Sequence, residues 1–199
     1  MRGIDVSYAQ GRVDWRAVAR DGVGFAMVKA SQGRLLKDAS VGPFADPRFA
    51  ENVRGAAAAG LAIGVYHYLC AETVEASLAE ADFFLETIRP FRREITLWAV
   101  CDCEEDKYLP RDGRALTNVV RAFMKKLRIG GFRPMLYSNP NYLRFRFRDL
   151  PSYDLWLAYW GATEARALSY APKIWQYGVC RAGNLARVDG NVGYFTPPL

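Results

Sequence analysis

Short apolar stretches recur along the chain and alternate with longer segments in which apolar residues are spaced three or four apart. The apolar stretches predict eight β-strands, at residues 4–7, 25–30, 62–68, 96–102, 134–138, 154–159, 173–177 and 186–189. The longer segments predict helices at 15–20, 47–59, 73–88 and 115–128. Strands and helices therefore alternate up to the fifth strand, and strands joined by short irregular segments follow.

Local signals at the helix ends agree with this division. Asp14 precedes the first helix as a capping acid. Asp46 precedes the second helix in the same role, and Pro47 follows it at the first helical position. Gly60 closes the second helix, and Gly130-Gly131 closes the fourth.

Strands that are apolar on both faces and alternate with helices are typical of a parallel α/β sheet. Eight strands favour a closed barrel, and since only four to five helices fit, we expect an irregular barrel rather than a regular (β/α)8 barrel. A doubly wound open sheet is the alternative, but no GxGxxG follows the first strand. The chain shows no repeat and no linker, so we predict a single domain over residues 1–199.

Composition narrows the chemistry. The 199 residues include one histidine, which excludes sites built from several histidines. The four cysteines, at positions 70, 101, 103 and 180, show no CxxC spacing and are predicted to be buried thiols. No apolar run reaches 18 residues, and the first residues lack a secretory signal pattern. Any catalysis must therefore rest mainly on carboxylates, and we predict no cofactor and no metal.

The formal charge of +6 is spread along the chain and is dense only at residues 144–148, where arginine and phenylalanine alternate. Such alternation occurs in nucleic-acid patches, but an amphipathic segment with a solvated basic side is the simpler interpretation. A basic surface also suits an anionic polymer such as a bacterial cell wall. We therefore predict no nucleic-acid partner.

Two carboxylates end the fourth predicted strand. Asp102 and Glu104 are two residues apart, so in a continuous strand they share one face, about 6.6 Å apart, while Cys101 and Cys103 face the helices. Two close carboxylates repel each other, which raises one pKa and leaves a protonated acid beside an ionised group. Glycoside hydrolysis uses this pairing.

Asp5 and Asp189 lie in the first and last predicted strands, which are neighbours in a closed barrel. All four acids could then line one pocket, with Lys29 as a salt-bridge partner. The alternatives are a capping or salt-bridging role for Asp5 and a turn role for Asp189. His67 has no accompanying GxSxG, so we interpret it as a packed, hydrogen-bonded residue rather than a triad member.

Aromatic residues are dense near the same strand ends. For each of them there are two interpretations: packing in the core, or lining a cleft wall that contacts sugar. They are Tyr66, Tyr68, Tyr137, Trp156, Tyr159, Trp160, Trp175 and Tyr177.

Taken in order, these segments resemble the glycoside hydrolase family 25 muramidases, the Chalaropsis-type lysozymes. The resemblance extends from Gly3 to about Asn191, and its clearest segments are Gly3-Ile4-Asp5-Val6-Ser7, Gly64-Val65-Tyr66-His67-Tyr68, Asp102-Cys103-Glu104, Trp156-Leu157-Ala158, Trp175-Gln176-Tyr177 and Val188-Asp189-Gly190-Asn191. Two features depart from the family pattern. Cysteines flank Asp102 where aliphatic residues are usual, and Tyr159-Trp160 follows Ala158 where the family tends to have one tyrosine.

The resemblance implies a flattened barrel of eight strands and hydrolysis of the β-1,4 bond between N-acetylmuramic acid and N-acetylglucosamine in peptidoglycan. It implies Glu104 as the catalytic acid, Asp102 as its carboxylate partner, and Asp5 and Asp189 as acids lining the cleft. It places sugar contacts at Tyr66, Tyr137 and Trp156. Tyr68 and Gln176, in the same matched segments, complete the predicted substrate-binding set.

Three mechanisms remain open at this point: attack by the substrate's own acetamido group with retention, Asp102 as direct nucleophile, and inversion by an activated water. Two other functions also remain, an inactive sugar-binding module and a hydrolase using Mg²⁺ or Ca²⁺ held by carboxylates. We expect a monomer that binds peptidoglycan glycan strands without membrane insertion. It would act outside the cell or at the bacterial wall, either secreted or as a phage lysin released through a membrane pore.

Overall fold

The computed structural model describes residues 1–33 and 42–196. Its strands are β1 (Arg2–Val6), β2 (Phe25–Gln32), β3 (Phe44–Ala45), β4 (Ala62–Tyr68), β5 (Ala99–Asp102), β6 (Pro134–Ser138), β7 (Asp154–Ala158), β8 (Ile174–Ala182) and β9 (Leu185–Gly193). Its α-helices are α1 (Trp15–Arg20), α2 (Phe49–Ala58), α3 (Val74–Ile88), α4 (Gly113–Ile129) and α5 (Glu164–Leu168). Within the described residues, no helix is long and apolar enough to cross a membrane.

Eight strands close into a barrel, which confirms the predicted fold class. The sheet runs β1-β9-β8-β7-β6-β5-β4-β2, and β1 pairs with β2 to complete the ring. Seven of these strands are parallel in succession, from β1 through β2 and β4 to β8. The short β3 extends the sheet beside β2.

The last strand departs from the expected parallel order. β9 runs antiparallel to both of its neighbours, β8 and β1. Its direction follows from the tight turn at Gly183, whose φ of 54° suits a glycine, because so short a connection can only join antiparallel strands. Strands β8 and β9 are also longer than the sequence indicated, so Asp189 lies inside a strand and not in a turn.

The other differences concern element boundaries. β5 begins at Ala99 rather than at residue 96, and β3 and α5 were not among the predicted elements. Arg48, not Asp46, is the residue before α2. Asp46 instead accepts hydrogen bonds from the backbone N–H groups of Arg48 and Tyr8, each at 2.9 Å, and so fixes the start of α2 to the segment after β1.

Two apolar layers hold the barrel and position the pocket. The outer layer packs the helices on the sheet and contains Cys101 and Cys103, which confirms that these thiols face away from the barrel interior. The inner layer fills the barrel with large side chains, including Phe25, Met27 and Trp98. Because it plugs the barrel, the carboxyl ends of the strands form the floor and walls of a pocket rather than a pore.

Candidate active site

One pocket at the carboxyl ends of the parallel strands gathers all nine predicted site residues. The pocket has a volume of about 210 Å³, and Lys29 from β2 also lines it. The lining residues are Asp5, Lys29, Tyr66, Tyr68, Asp102, Glu104, Tyr137, Trp156, Gln176 and Asp189. The nine residues therefore lie together at the strand ends, and their roles are taken up under the proposed function.

The two carboxylates after β5 occupy different depths. Asp102 is the last residue of β5 and is 5% exposed, whereas Glu104 is exposed at the mouth of the pocket. Among the described residues, no group donates a hydrogen bond to one buried carboxylate oxygen of Asp102, Oδ1. Buried carboxylate oxygens are normally paired, so the lack of a donor disfavours the ionised form of Asp102.

Asp5 is held by two amides on the opposite side of the pocket. Gln176 Nε2 donates to Asp5 Oδ2 at 3.0 Å, and Asn191 Nδ2 donates to the same oxygen at 2.7 Å. In the antiparallel pairing of β1 and β9, Asp5 lies opposite Asp189, which brings the two acids together. Both alternatives considered for this pair, a cap or salt bridge at Asp5 and a turn residue at Asp189, are thereby wrong.

Burial and mutual repulsion raise the pKa values of the acids in the pocket. Burial, followed by the charge of Asp189, raises the pKa of Asp5 to about 7, although the two amides act in the opposite direction. Burial and then Glu104 raise the pKa of Asp102 well above its usual range, against the effect of Lys29. Desolvation raises the pKa of Glu104, while hydrogen bonding by Tyr137 lowers it. The pocket therefore retains protons that isolated carboxyls would lose at neutral pH.

Lys29 is a weaker partner of the acids than predicted. Its Nζ donates to Gln32 at 2.7 Å and lies 5.1 Å from the centre of the Tyr68 ring, and no ion pair to a pocket acid within 4.0 Å occurs in the described ranges. Burial lowers the pKa of Lys29, although Asp102 and Asp46 favour its charged form. Lys29 thus stabilises the charged form of Asp102 by electrostatic attraction at a distance rather than by direct contact.

Aromatic rings form the wall between the acids. Trp156 packs edge-on against Tyr66 and Tyr137, with ring centres 5.8 and 4.6 Å apart. The Tyr137 hydroxyl donates to Gln176 Oε1 at 3.0 Å. These rings are therefore fixed by packing and hydrogen bonds before any ligand binds.

Asn191 lies behind the pocket wall and supports two pocket residues, Asp5 and Trp156, a role that the sequence analysis did not single out. It is completely buried, and its Oδ1 accepts a hydrogen bond from Trp156 Nε1 at 2.8 Å while its Nδ2 supports Asp5. It lies two residues after Asp189, so strand alternation places both on one face. The predicted strand ended at Asp189, whereas β9 continues to Gly193, so the sequence analysis left Asn191 outside the strand.

His67 lies on the other face of β4, as predicted for a packed histidine. Its Nε2 is 2.9 Å from Glu80 Oε2 and its Nδ1 is 2.8 Å from Ser31 Oγ. Burial lowers its pKa, so the neutral ring donates from Nε2 to Glu80 and accepts at Nδ1 from Ser31. Since Ser31 and His67 are both fully buried, this group has no access to substrate.

A metal centre is not favoured by this arrangement. Among residues 1–33 and 42–196, no group of three or more acidic, histidine or cysteine side chains is placed to hold a metal ion.

A closed barrel with paired carboxylates in a pocket at its strand ends is an arrangement that glycoside hydrolases use. The sequence profile described as Glycosyl hydrolases family 25 matches residues 4–179. The chain belongs to this family of glycosidases.

Curated relatives agree with this assignment, and a solved structure shares the fold. The chain is 32% identical to the "Autolytic lysozyme" of Clostridium acetobutylicum over 82% of its own length and 46% of that protein. It is 26% identical to "Lysozyme M1" of Streptomyces globisporus, covering 96% of this chain and 66% of that one. A family 25 glycosyl hydrolase structure from Bacillus anthracis superposes with a TM-score of 0.79 at 22% identity, over 98% of this chain and 89% of the other. The chain thus spans between about half and two thirds of the length of these curated relatives.

Proposed function

We propose that this chain is a peptidoglycan hydrolase, an N-acetylmuramidase that cleaves the β-1,4 bond between N-acetylmuramic acid and N-acetylglucosamine. Two curated relatives named as lysozymes support the substrate. The observation that carries the proposal is the pair Asp102 and Glu104 in one pocket, the first with an unpartnered buried oxygen and the second at the mouth.

Glu104 is the proposed general acid. It lies where the pocket opens to solvent, so a long glycan strand can reach it. Its raised pKa keeps a proton on the pair at pH values where a free glutamate is ionised, and this proton would pass to the glycosidic oxygen. The leaving sugar then departs with a neutral hydroxyl.

Asp102 is the proposed partner that orients the 2-acetamido group of the sugar. Asp102 lines the pocket, so an acetamido N–H can donate to its carboxylate. Burial and the charge of Glu104 raise the pKa of Asp102, whereas Lys29 and an acetamido donor favour its ionised form. With the proton on Glu104, the acetamido oxygen bonds to the anomeric carbon as the glycosidic bond breaks and Glu104 protonates the leaving oxygen. A water molecule, deprotonated by Glu104, then attacks the same carbon and breaks this new bond, giving net retention.

The reaction and its stereochemistry are tested by two measurements. Incubation with purified peptidoglycan should release new reducing ends, and their absence would leave the sugar-binding module as the better description. Proton NMR of the earliest products should show the β-anomer, as retention requires. An initial α-product would refute both the acetamido route and direct attack by Asp102, in favour of inversion by water. Activity lost in EDTA and restored by Mg²⁺ or Ca²⁺ would instead support the metal-dependent alternative.

The place of action follows from the substrate. The proposed enzyme works at the bacterial cell wall, and its charge of +6 favours approach to an anionic polymer. We propose that it does so as a monomer.

A further inference from the structure

An exposed tryptophan lies directly beside the acidic pocket. Trp160 follows β7 and is 53% exposed, although tryptophan is usually well buried. Its indole Nε1 donates to Gln176 Oε1 at 2.8 Å. Gln176 is the residue that supports Asp5 and receives the hydroxyl of Tyr137, so the indole is bonded to the wall of the pocket.

The loop that carries Trp160 is held in place before any ligand arrives. The backbone N–H of Tyr159 donates to the carbonyl of Gln176 at 3.1 Å, and Trp175 Nε1 donates to the carbonyl of Tyr159 at 3.0 Å. Gly161 follows with a φ of 69°, a conformation that favours glycine and turns the chain away. A ring fixed in this way loses little conformational entropy when a ligand stacks on it.

The size of the pocket requires contacts outside it. At about 210 Å³ it is smaller than the roughly 300–1,000 Å³ typical of sites that enclose a whole ligand. A glycan strand is much longer than this space, so sugars flanking the cleaved bond must lie on the rim. Trp160 offers an apolar ring face there, because its one polar atom is already bonded to Gln176.

We propose that Trp160 is the platform of an outer sugar subsite that binds a flanking N-acetylhexosamine ring of the glycan strand. This inference rests on the proposed function for the identity of the ligand. It assigns Trp160 a binding role and no part in proton transfer. The contact is made equally in the ground state and in the transition state, so its loss should weaken substrate binding while the chemical step is kept.

The first experiment compares Trp160→Ala and Trp160→Tyr with the wild type on stem-free glycan strands of four, six and eight sugars. Trp160→Ala should raise KM about tenfold on the strands that reach the subsite, with kcat within about twofold, and Trp160→Tyr should recover most of the loss. Phe145→Ala is the matched control, since Phe145 is another exposed aromatic, at 66% exposure, and should leave both constants unchanged.

Two results would overturn the proposal. One is an unchanged KM for Trp160→Ala on every strand length. The other is an equal fall of kcat on all lengths, which would show that the indole acts through Gln176 on the acids. Thermal unfolding of each variant identifies a folding defect, which we do not expect at a half-exposed position.

A second measurement keeps the subsite testable if hydrolysis fails. In a Glu104→Gln background, the same strands should quench tryptophan fluorescence, and adding Trp160→Ala should weaken their binding about tenfold. If the strands quench the fluorescence of Glu104→Gln but the wild type does not hydrolyse them, the proposed function is refuted and the sugar subsite at Trp160 is still supported. Equal affinity with and without Trp160 would refute the subsite alone.

Discussion

Strand β4 separates two buried polar groups of opposite character. The outer cluster, Ser31, His67 and Glu80, lies under α3 and pairs its side chains at 2.8 and 2.9 Å. The inner cluster, Asp5, Asp102, Glu104 and Asp189, places four acids in one pocket and leaves Asp102 Oδ1 without a partner. In the outer cluster each side chain has a hydrogen-bond partner, whereas in the inner cluster the four acids repel one another. Burial of polar groups therefore supports folding in one place and is used for chemistry in the other.

The largest expected effect is on activity in the inner cluster. Glu104→Gln should lower the rate of peptidoglycan hydrolysis by about a thousandfold or more, because the amide cannot donate a proton to the glycosidic oxygen. Unfolding by urea should be nearly unchanged, since Glu104 is exposed. Release of reducing ends measures the rate.

Glu105→Gln is the matched control, because it removes the adjacent acid and should stay within a few-fold of wild type. Near-wild-type hydrolysis by Glu104→Gln would remove the proposed acid from the mechanism.

The outer cluster should respond in stability instead. Glu80→Gln is expected to lower the free energy of unfolding by about 2–4 kcal/mol, because it weakens a buried contact to His67 and to the N–H of Cys70. The activity per folded molecule should persist. Urea unfolding and active-fraction assays provide the two readings.

Glu86→Gln, at an exposed position of the same helix, should change stability by less than about 0.5 kcal/mol. If Glu80→Gln abolished activity in fully folded protein, the division between the two clusters would be wrong.

The third prediction concerns pH. Burial raises the pKa of Asp5 from its ordinary value of 3.8 to about 7, so between these values the folded state binds more protons than the unfolded state. Its contribution therefore favours folding at low pH and is lost as pH rises towards 7. Asp5→Asn should raise stability by about 1–3 kcal/mol at pH 8 and by almost nothing at pH 4.

Urea unfolding of both proteins at several pH values measures this difference. An advantage for Asp5→Asn that is constant across the range would contradict the assigned titration. His67 acts with the opposite sign: its pKa is lowered by burial, so its contribution is present above its unfolded pKa, near 6.5, and is lost as pH falls from there through its lower native pKa.

The smallest expected effect is that of replacing Cys103, which lies between Asp102 and Glu104 in the sequence. Cys103 is completely buried in the outer layer, so Cys103→Ala should lower stability by about 1 kcal/mol and leave kcat unchanged. Steady-state kinetics and urea unfolding measure both quantities. A marked loss of kcat would mean that the thiol contributes to the pocket.

The barrel and its pocket were predictable because strand alternation and the strand-end rule act locally. Apolar runs located the eight barrel strands, and Asp102 and Glu104 line one pocket. The expected alternation along one strand does not account for Glu104, because β5 ends at Asp102. The direction of β9 depended on a tight turn at Gly183, which a strand pattern does not encode. The partners of His67 lie 36 and 13 residues away in the sequence, so no local pattern could identify them. The extent predicted for a single domain, residues 1–199, stays a prediction.

The central claim is that the inner cluster cleaves the glycan at muramic acid. Peptidoglycan digested by the wild type is reduced with borohydride, and the products are analysed by mass spectrometry beside an identical Glu104→Gln digest. We expect reduced N-acetylmuramic acid at the new chain ends in the wild-type digest and no new ends in the variant. Reduced N-acetylglucosamine at those ends, or equal cleavage by both proteins, would contradict the account.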